Sequence, residues 1–212
     1  MGSDGEEPFG RPAHFCFPAA GEGCPLRRFY DVLTQDPVIA AVKDPEGLEL
    51  CLQEKNVQVV FILFGDICTI PALVERVRQA GKLAFVHVDL IAGLSGKEIA
   101  VDFIHRATHA DGILSTRMPS IRRGRELGLH TVLRVFLIDS IALSSLEKME
   151  GVQPEFIEIM PGVMPKVIRK VRTLTAVPIL AGGLIADKED VMAALDAGAV
   201  AVSSTDPAIW RM

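Results

Sequence analysis

VPILAGGLIADKEDVMAALDAGAVAVSSTD, running from Val177 to Asp206, decides the fold. Two short aliphatic and β-branched runs bracket a segment of helical period, so the stretch reads as strand, helix, strand. Asp187 is placed to cap the helix KEDVMAALDAG, which stops at Gly198. Each strand ends in small residues, Ala181-Gly182-Gly183 and Ser203-Ser204-Thr205, where a buried strand ordinarily keeps bulk. Glycine after a strand lets another group approach the backbone closely, and a following helix offers unpaired N–H groups to an anion. Two such ends on successive units predict two sides of one phosphate cradle. The alternative is that the glycines only relieve crowding between strand and helix.

Outward from this unit the same alternation extends back to Pro37. Strand-like runs begin at Val38, Val59, Leu83, Gly112, Thr131, Phe156, Pro178 and Val200, and the third is expected to reach Leu90. Between them lie amphipathic segments. In PKVIRKVRTL, for example, Met164, Val167, Ile168, Val171 and Leu174 make one apolar stripe. Pro45 and Pro119 suit first helical turns, and Gly81 and Gly128 suit helix ends. Eight strands joined by crossover helices predict an α/β chain with a closed parallel sheet, a (β/α)8 TIM-barrel-like single domain over residues 30–212. A doubly wound open sheet is the alternative, and the missing G-x-G-x-x-G after the first strand counts against its dinucleotide-binding version.

The chain has 212 residues, 49% hydrophobic, with a net charge of −5. That balance excludes non-specific polyanion binding through overall charge but permits a local basic face. No apolar run reaches the roughly 18 residues of a membrane span, and the expectation is a cytoplasmic protein. Residues 1–29 are rich in Gly, Pro and acidic side chains and are expected to be a flexible arm. Cys16, Cys24, Cys51 and Cys68 show no C-x-x-C or Cys/His spacing, so they read as reduced thiols, with no metal site.

Strand parity sorts the side chains. Within LAFVHVDL, Ala84, Val86, Val88 and Leu90 share the helix-facing side, and Phe85, His87 and Asp89 the interior. The same test sends Arg134 and Glu158 inward from the fifth and sixth strands. These four need partners or a polar ligand, since a buried unpaired charge is costly. Arg134 and Glu158 could satisfy each other, and His87 could be a neutral core histidine bonded to Asp89 or a backbone carbonyl. Against that bland reading, Asp89 sits at the C-terminal strand end, where barrels of this type carry their sites. No strand lysine offers Schiff-base chemistry and no catalytic residue is assigned; the pattern favours binding of a small polyhydroxylated phosphate ester. Two basic runs stand apart: Arg117, Arg122, Arg123 and Arg125, then Lys166, Arg169, Lys170 and Arg172. Such runs are ordinarily solvated helix faces, but in an acidic chain they are also candidates for nucleic-acid phosphates.

HVDLIAGLSGKEIAVDFI, DGILSTR, RVFLIDS, FIEIMPGVMPKVI, ILAGGLI and ALDAGAVAVSSTD with a final Trp, spread from Pro37 to Trp210, together resemble the glycerol-3-phosphate-responsive antiterminator family. The resemblance implies a barrel-like bacterial regulator that binds glycerol 3-phosphate as effector and acts on leader mRNA, with no other cofactor and no membrane partner. Homo-oligomers are compatible with it. Within the matching motifs stand His87, Asp89, Ser115, Thr116, Arg134, Glu158, Pro161, Gly162, Lys166, Gly182 and Gly183. The expectation drawn from them is that Gly182, Gly183, Ser204 and Thr205 hold the phosphate. Asp89 and Glu158 would meet the glycerol hydroxyls, with His87 orienting Asp89 and the 160–166 loop around Gly162 closing over the ligand. A barrel enzyme, an isomerase, lyase or synthase acting on a phosphorylated metabolite, is the competing class. A scaffold with a vestigial pocket is the third.

Overall fold

The computed structural model describes residues 25–149 and 151–212. Eight parallel strands close into a barrel in sequence order: β1 (Val38–Val42), β2 (Val59–Ile62), β3 (Leu83–His87), β4 (Gly112–Ser115), β5 (His130–Phe136), β6 (Phe156–Met160), β7 (Ile179–Gly182) and β8 (Ala201–Ser204). β8 returns to β1 with Val38 opposite Val202 and Ile39 opposite Ser203, so no edge remains. Helices α2 (Pro45–Gln53), α3 (Ile70–Gln79), α4 (Ile99–Ala107), α5 (Met118–Glu126), α6 (Ser140–Glu147), α7 (Pro165–Leu174) and α8 (Lys188–Asp196) fill the crossovers, and α9 (Pro207–Trp210) ends the chain. This is the (β/α)8 architecture that the alternating runs predict.

The helix signals behave as expected. Asp187 caps α8 by accepting from the Asp190 N–H at 2.9 Å. Pro45 and Pro119 lie in first turns, and Gly81, Gly128 and Gly198 exit helices with positive φ. β3 is shorter than expected. It stops at His87, where the Leu90 N–H turns back onto the His87 carbonyl at 3.0 Å, so Asp89 sits in the turn above the strand.

Helix α1 (Pro25–Gln35) precedes β1 and stands outside the eight strand-helix units the pattern predicts. It takes the last five residues of the expected arm, while residues 1–24 lie outside the described residues. Phe29 and Leu33, one turn apart, are fully buried at the lower end of the barrel, in one apolar cluster with Ile39, Val59, Phe61, Phe85, Val132, Phe156 and Leu180. Phe29 alone stands 4.5 Å from the Phe85 ring and 4.7 Å from the Phe156 ring. The N-terminal mouth is thereby closed with hydrocarbon. The outward strand faces pack beneath the helices in two further clusters, with Ala84 and Val86 of β3 in one and Ile157 and Ile159 of β6, under Ile168 and Val171 of α7, in the other.

Candidate functional site

One pleat above that apolar layer the interior turns polar. Arg134 (β5) and Glu158 (β6) are register partners; Arg134 Nε donates to Glu158 Oε2 at 2.5 Å, and both side chains are buried. The other carboxylate oxygen, Oε1, accepts from the Ser203 hydroxyl on β8. This chain passes over β7, and there the glycine is required: a Cβ on Gly182 would lie 2.5 Å from Glu158 Oε1 and 2.6 Å from Ser203 Oγ. The close approach at Gly182 is therefore made by the protein's own carboxylate. Gly162 serves a second approach. Its Cβ would fall 2.9 Å from the Gly182 nitrogen, and its N–H donates to the Gly183 carbonyl at 3.0 Å. Gly183 itself needs its freedom, with φ of +76° at the lip of the barrel.

The ends of β7 and β8 do line one cavity. It measures about 360 Å³, near the small end of ligand sites at ~300–1,000 Å³. The turn Gly183–Ala186 forms one wall and Ser203–Asp206 the other, with Arg134, Met160, Ala41 and Leu63 completing it. Of the expected ligand residues it gathers Arg134, Gly183, Ser204 and Thr205. Glu158, Gly182 and Gly162 lie behind it, supporting Arg134 and the β7 turn. Lys166 is exposed on α7. Leu184, absent from the sequence reading, is the single non-glycine with positive φ among the described residues, at +62°, and it is exposed on the cavity wall. A side chain held there costs energy, and such residues concentrate at ligand clamps. Trp210, in the sequence only the end of a motif, is a second residue to which the pattern gives no role. Its indole N–H donates to the Ser204 carbonyl at 2.8 Å, fastening the β8 end from behind.

The opposite rim is differently made. Asp89 Oδ2 accepts from Ser115 Oγ at 2.9 Å, the Thr116 N–H at 2.7 Å and Thr116 Oγ1 at 3.2 Å, while Arg117 Nε lies 3.7 Å from Oδ1. Ser115 and Thr116 thus orient Asp89. His87 does not, since its Nδ1 is 3.9 Å from Asp89 Oδ2 and without a hydrogen-bond partner. Burial, then the Arg134 charge, lower the His87 pKa to about 4, against the smaller opposing pull of Asp89, so the ring is neutral at pH 7.

The decisive comparison is with a family model. Residues 38–210 match the glycerol-3-phosphate responsive antiterminator family. The chain belongs to that family. Its antiterminator relatives include a glycerol uptake operon antiterminator regulatory protein from Listeria monocytogenes, whose crystal structure superposes with a TM-score of 0.75 at 31% identity, covering 80% of this chain and 91% of that one. A glycerol uptake operon antiterminator-related protein from Thermotoga maritima gives 0.73 at 30% identity, over 84% and 99%. The Escherichia coli protein YgcP, described as uncharacterized, is 42% identical over 182 residues, 85% of this chain and 95% of that one. Among barrel enzymes, orotidine 5'-phosphate decarboxylase from Pyrococcus horikoshii superposes with a TM-score of 0.61 at 17% identity, over 82% and 97%, a likeness of fold alone. Among the described residues no helix is long and apolar enough to cross a membrane.

Proposed function

We propose that this antiterminator-family chain is a metabolite-responsive regulator that seats glycerol 3-phosphate in the cavity between the β7 and β8 turns. The observation that carries the reading is the shared cavity itself: two small-residue strand ends and one buried guanidinium converge at the C-terminal mouth of a barrel matched to this family. Backbone N–H groups of Gly183, Leu184 and Ile185 and the Thr205 hydroxyl receive the phosphate, with Arg134 below as countercharge, while the Ser204 hydroxyl donates to the Ile185 carbonyl at 3.1 Å and ties the two walls together. Glu158 holds Arg134 in place and keeps its own oxygens occupied, so it fixes the guanidinium and does not meet the hydroxyls. In this reading the bound ester changes the chain's grip on leader mRNA, and no chemistry is performed on it.

Thermal unfolding with glycerol 3-phosphate, glycerol and inorganic phosphate tests the reading. A hundredfold excess over Kd stabilises a single-site protein by about 2.7 kcal/mol, several degrees in Tm at this size. The ester is expected to give that shift and glycerol none. Thr205→Glu places a carboxylate at an exposed position in the cavity wall and should abolish the shift without unfolding the chain. Conversion of the ester, followed by phosphorus NMR, would overturn the regulator in favour of an enzyme.

A further inference from the structure

The two basic runs end in different electrical states. On α5, Arg123 forks onto Asp102, Nε at 3.2 Å from Oδ2 and Nη2 at 2.6 Å from Oδ1, and reaches Glu126 at 2.7 Å. That fork holds the Asp102 carboxyl below the usual carboxylate range. Arg125 is paired with Glu155. Arg117 donates to the Gly96 carbonyl at 2.7 Å beside Asp89. Arg122 alone of these four has no ion-pair partner among the described residues. The α5 run is largely consumed by the fold.

Helix α7 differs. Lys166, Arg169 and Lys170 stand at i, i+3 and i+4, so they share an arc of roughly 100°. All three are exposed, α7 contains no acidic residue, and none of the three enters an ion pair or side-chain hydrogen bond among the described residues. Ile168 and Val171 bury the opposite face. Arg172, to one side, lies against Gly198 at the end of α8, where an added Cβ would sit 2.3 Å from its Cδ.

We infer that the Lys166, Arg169, Lys170 face of α7 is the surface that takes RNA phosphates, and that the ester cavity biases it through the segment from Met160 to Met164. The inference rests on the regulator reading above. A protein partner would be met by an apolar interface centre, and this face carries none. A lipid surface would need the helix's apolar side, which is sealed in the barrel. Three free cations within about 6 Å of helix rise, just over one turn, suit neighbouring phosphates of a strand. The link to the cavity is short. Met160 lines it, Gly162 is bonded to the Gly183 carbonyl, and α7 begins at Pro165. A ligand resting on Gly183 loads the peptide that Gly162 grips, and differential affinity for two placements of this segment would shift their populations.

The test is fluorescence anisotropy with a labelled transcript of the untranslated leader of the operon that carries this gene, across a series of KCl concentrations, with and without glycerol 3-phosphate. The variant K166E/R169E/K170E is expected to weaken binding at least about a hundredfold and to flatten the log–log salt slope by about 2, at ~0.7 per phosphate on a single strand. R122E should remain within about twofold of wild type. Wild-type affinity or slope in the triple variant overturns the surface assignment, as does an equal loss in R122E. An affinity that ignores glycerol 3-phosphate overturns the coupling. Thermal stabilisation by the ester, measured on the same preparations, separates the two readings. A wild-type chain stabilised by the ester but binding no RNA overturns the α7 surface while the metabolite site stands. An unstabilised chain whose RNA binding still depends on α7 overturns the metabolite site and supports the surface.

Discussion

The lower and upper ends of the barrel interior are built from the same strands, two residues apart, and differ in almost every physical respect. Below, Phe61, Phe85, Val132, Phe156, Leu180 and Ala201 interlock with Phe29 and Leu33 from α1, and hydrocarbon fills the bore. Above, the same strands present His87, Arg134, Glu158, Gly182 and Ser203, and the bore opens into a cavity at the β7 and β8 ends. The lower layer gains free energy by excluding water, at about 25 cal/mol per Å² of apolar surface. The upper layer gains little or nothing that way: burying Arg134 and Glu158 costs desolvation that their mutual contact only offsets. What the pair does provide is placement: it fixes a guanidinium under an open cavity.

The contrast is open to direct attack. Phe29→Ala removes a ring that touches three aromatic neighbours and should cost about 3–5 kcal/mol in urea unfolding, with the affinity for glycerol 3-phosphate of the folded fraction unchanged. A loss of affinity larger than the loss of folded protein would show that the two ends are not separate. Glu158→Ala should cost about as much, 3–5 kcal/mol, because it strands Arg134 in a buried place. The double variant Arg134→Met with Glu158→Leu should then recover most of that stability yet bind no ester, dividing stability from function in one comparison. Binding by the double variant would remove Arg134 from the site.

Legibility in the sequence followed the same divide. Strand parity depends only on the pleat, so the inward turn of His87, Arg134 and Glu158 could be read off three short runs without knowing their neighbours. The barrel followed from eight such runs and the caps between them. Partner choice could not be read, because it is set by register across strands: Glu158 reaches Ser203 over a position 24 residues away from it in sequence, and only the missing Cβ of Gly182 hinted at the crossing. For the same reason the glycines drew attention to a ligand when two of them, Gly162 and Gly182, serve contacts within the protein. Asp89 and His87 share a parity that suggests partners, but β3 ends at His87 and the turn at Leu90 lifts Asp89 toward Ser115 and Thr116. Helix α1 was legible too, since Leu26, Phe29, Tyr30 and Leu33 stand at i, i+3, i+4 and i+7; the Gly- and Pro-rich residues before it draw its first turn into the expected arm.

The smaller effects probe the upper layer alone. His87 binds no proton in the fold until about pH 4, whereas in the unfolded chain it does so near 6.5. Unfolding therefore takes up a proton between these values, and the fold loses stability as pH falls from about 6.5 to 4, by about 3 kcal/mol in all, with no further contribution from this residue below. His87→Gln should flatten that part of a Tm-against-pH profile; an unchanged slope would mean that Nδ1 has a proton acceptor in solution, with Asp89, the nearest carboxylate, as the candidate.

Leu184→Gly should move stability least. Glycine accepts the +62° φ without the steric cost of a Cβ, a gain of up to about 1 kcal/mol, set against a similar loss from the freer unfolded chain. The net change in Tm is expected near zero, and the informative quantity is ligand affinity. If the strained leucine preorganises the β7 wall of the cavity, the glycine variant binds the ester at least about threefold more weakly at equal Tm, because ordering the turn is then charged to binding. Equal affinity would make Leu184 a bystander on the rim and leave the shape of that wall to Gly183 and its bond from Gly162.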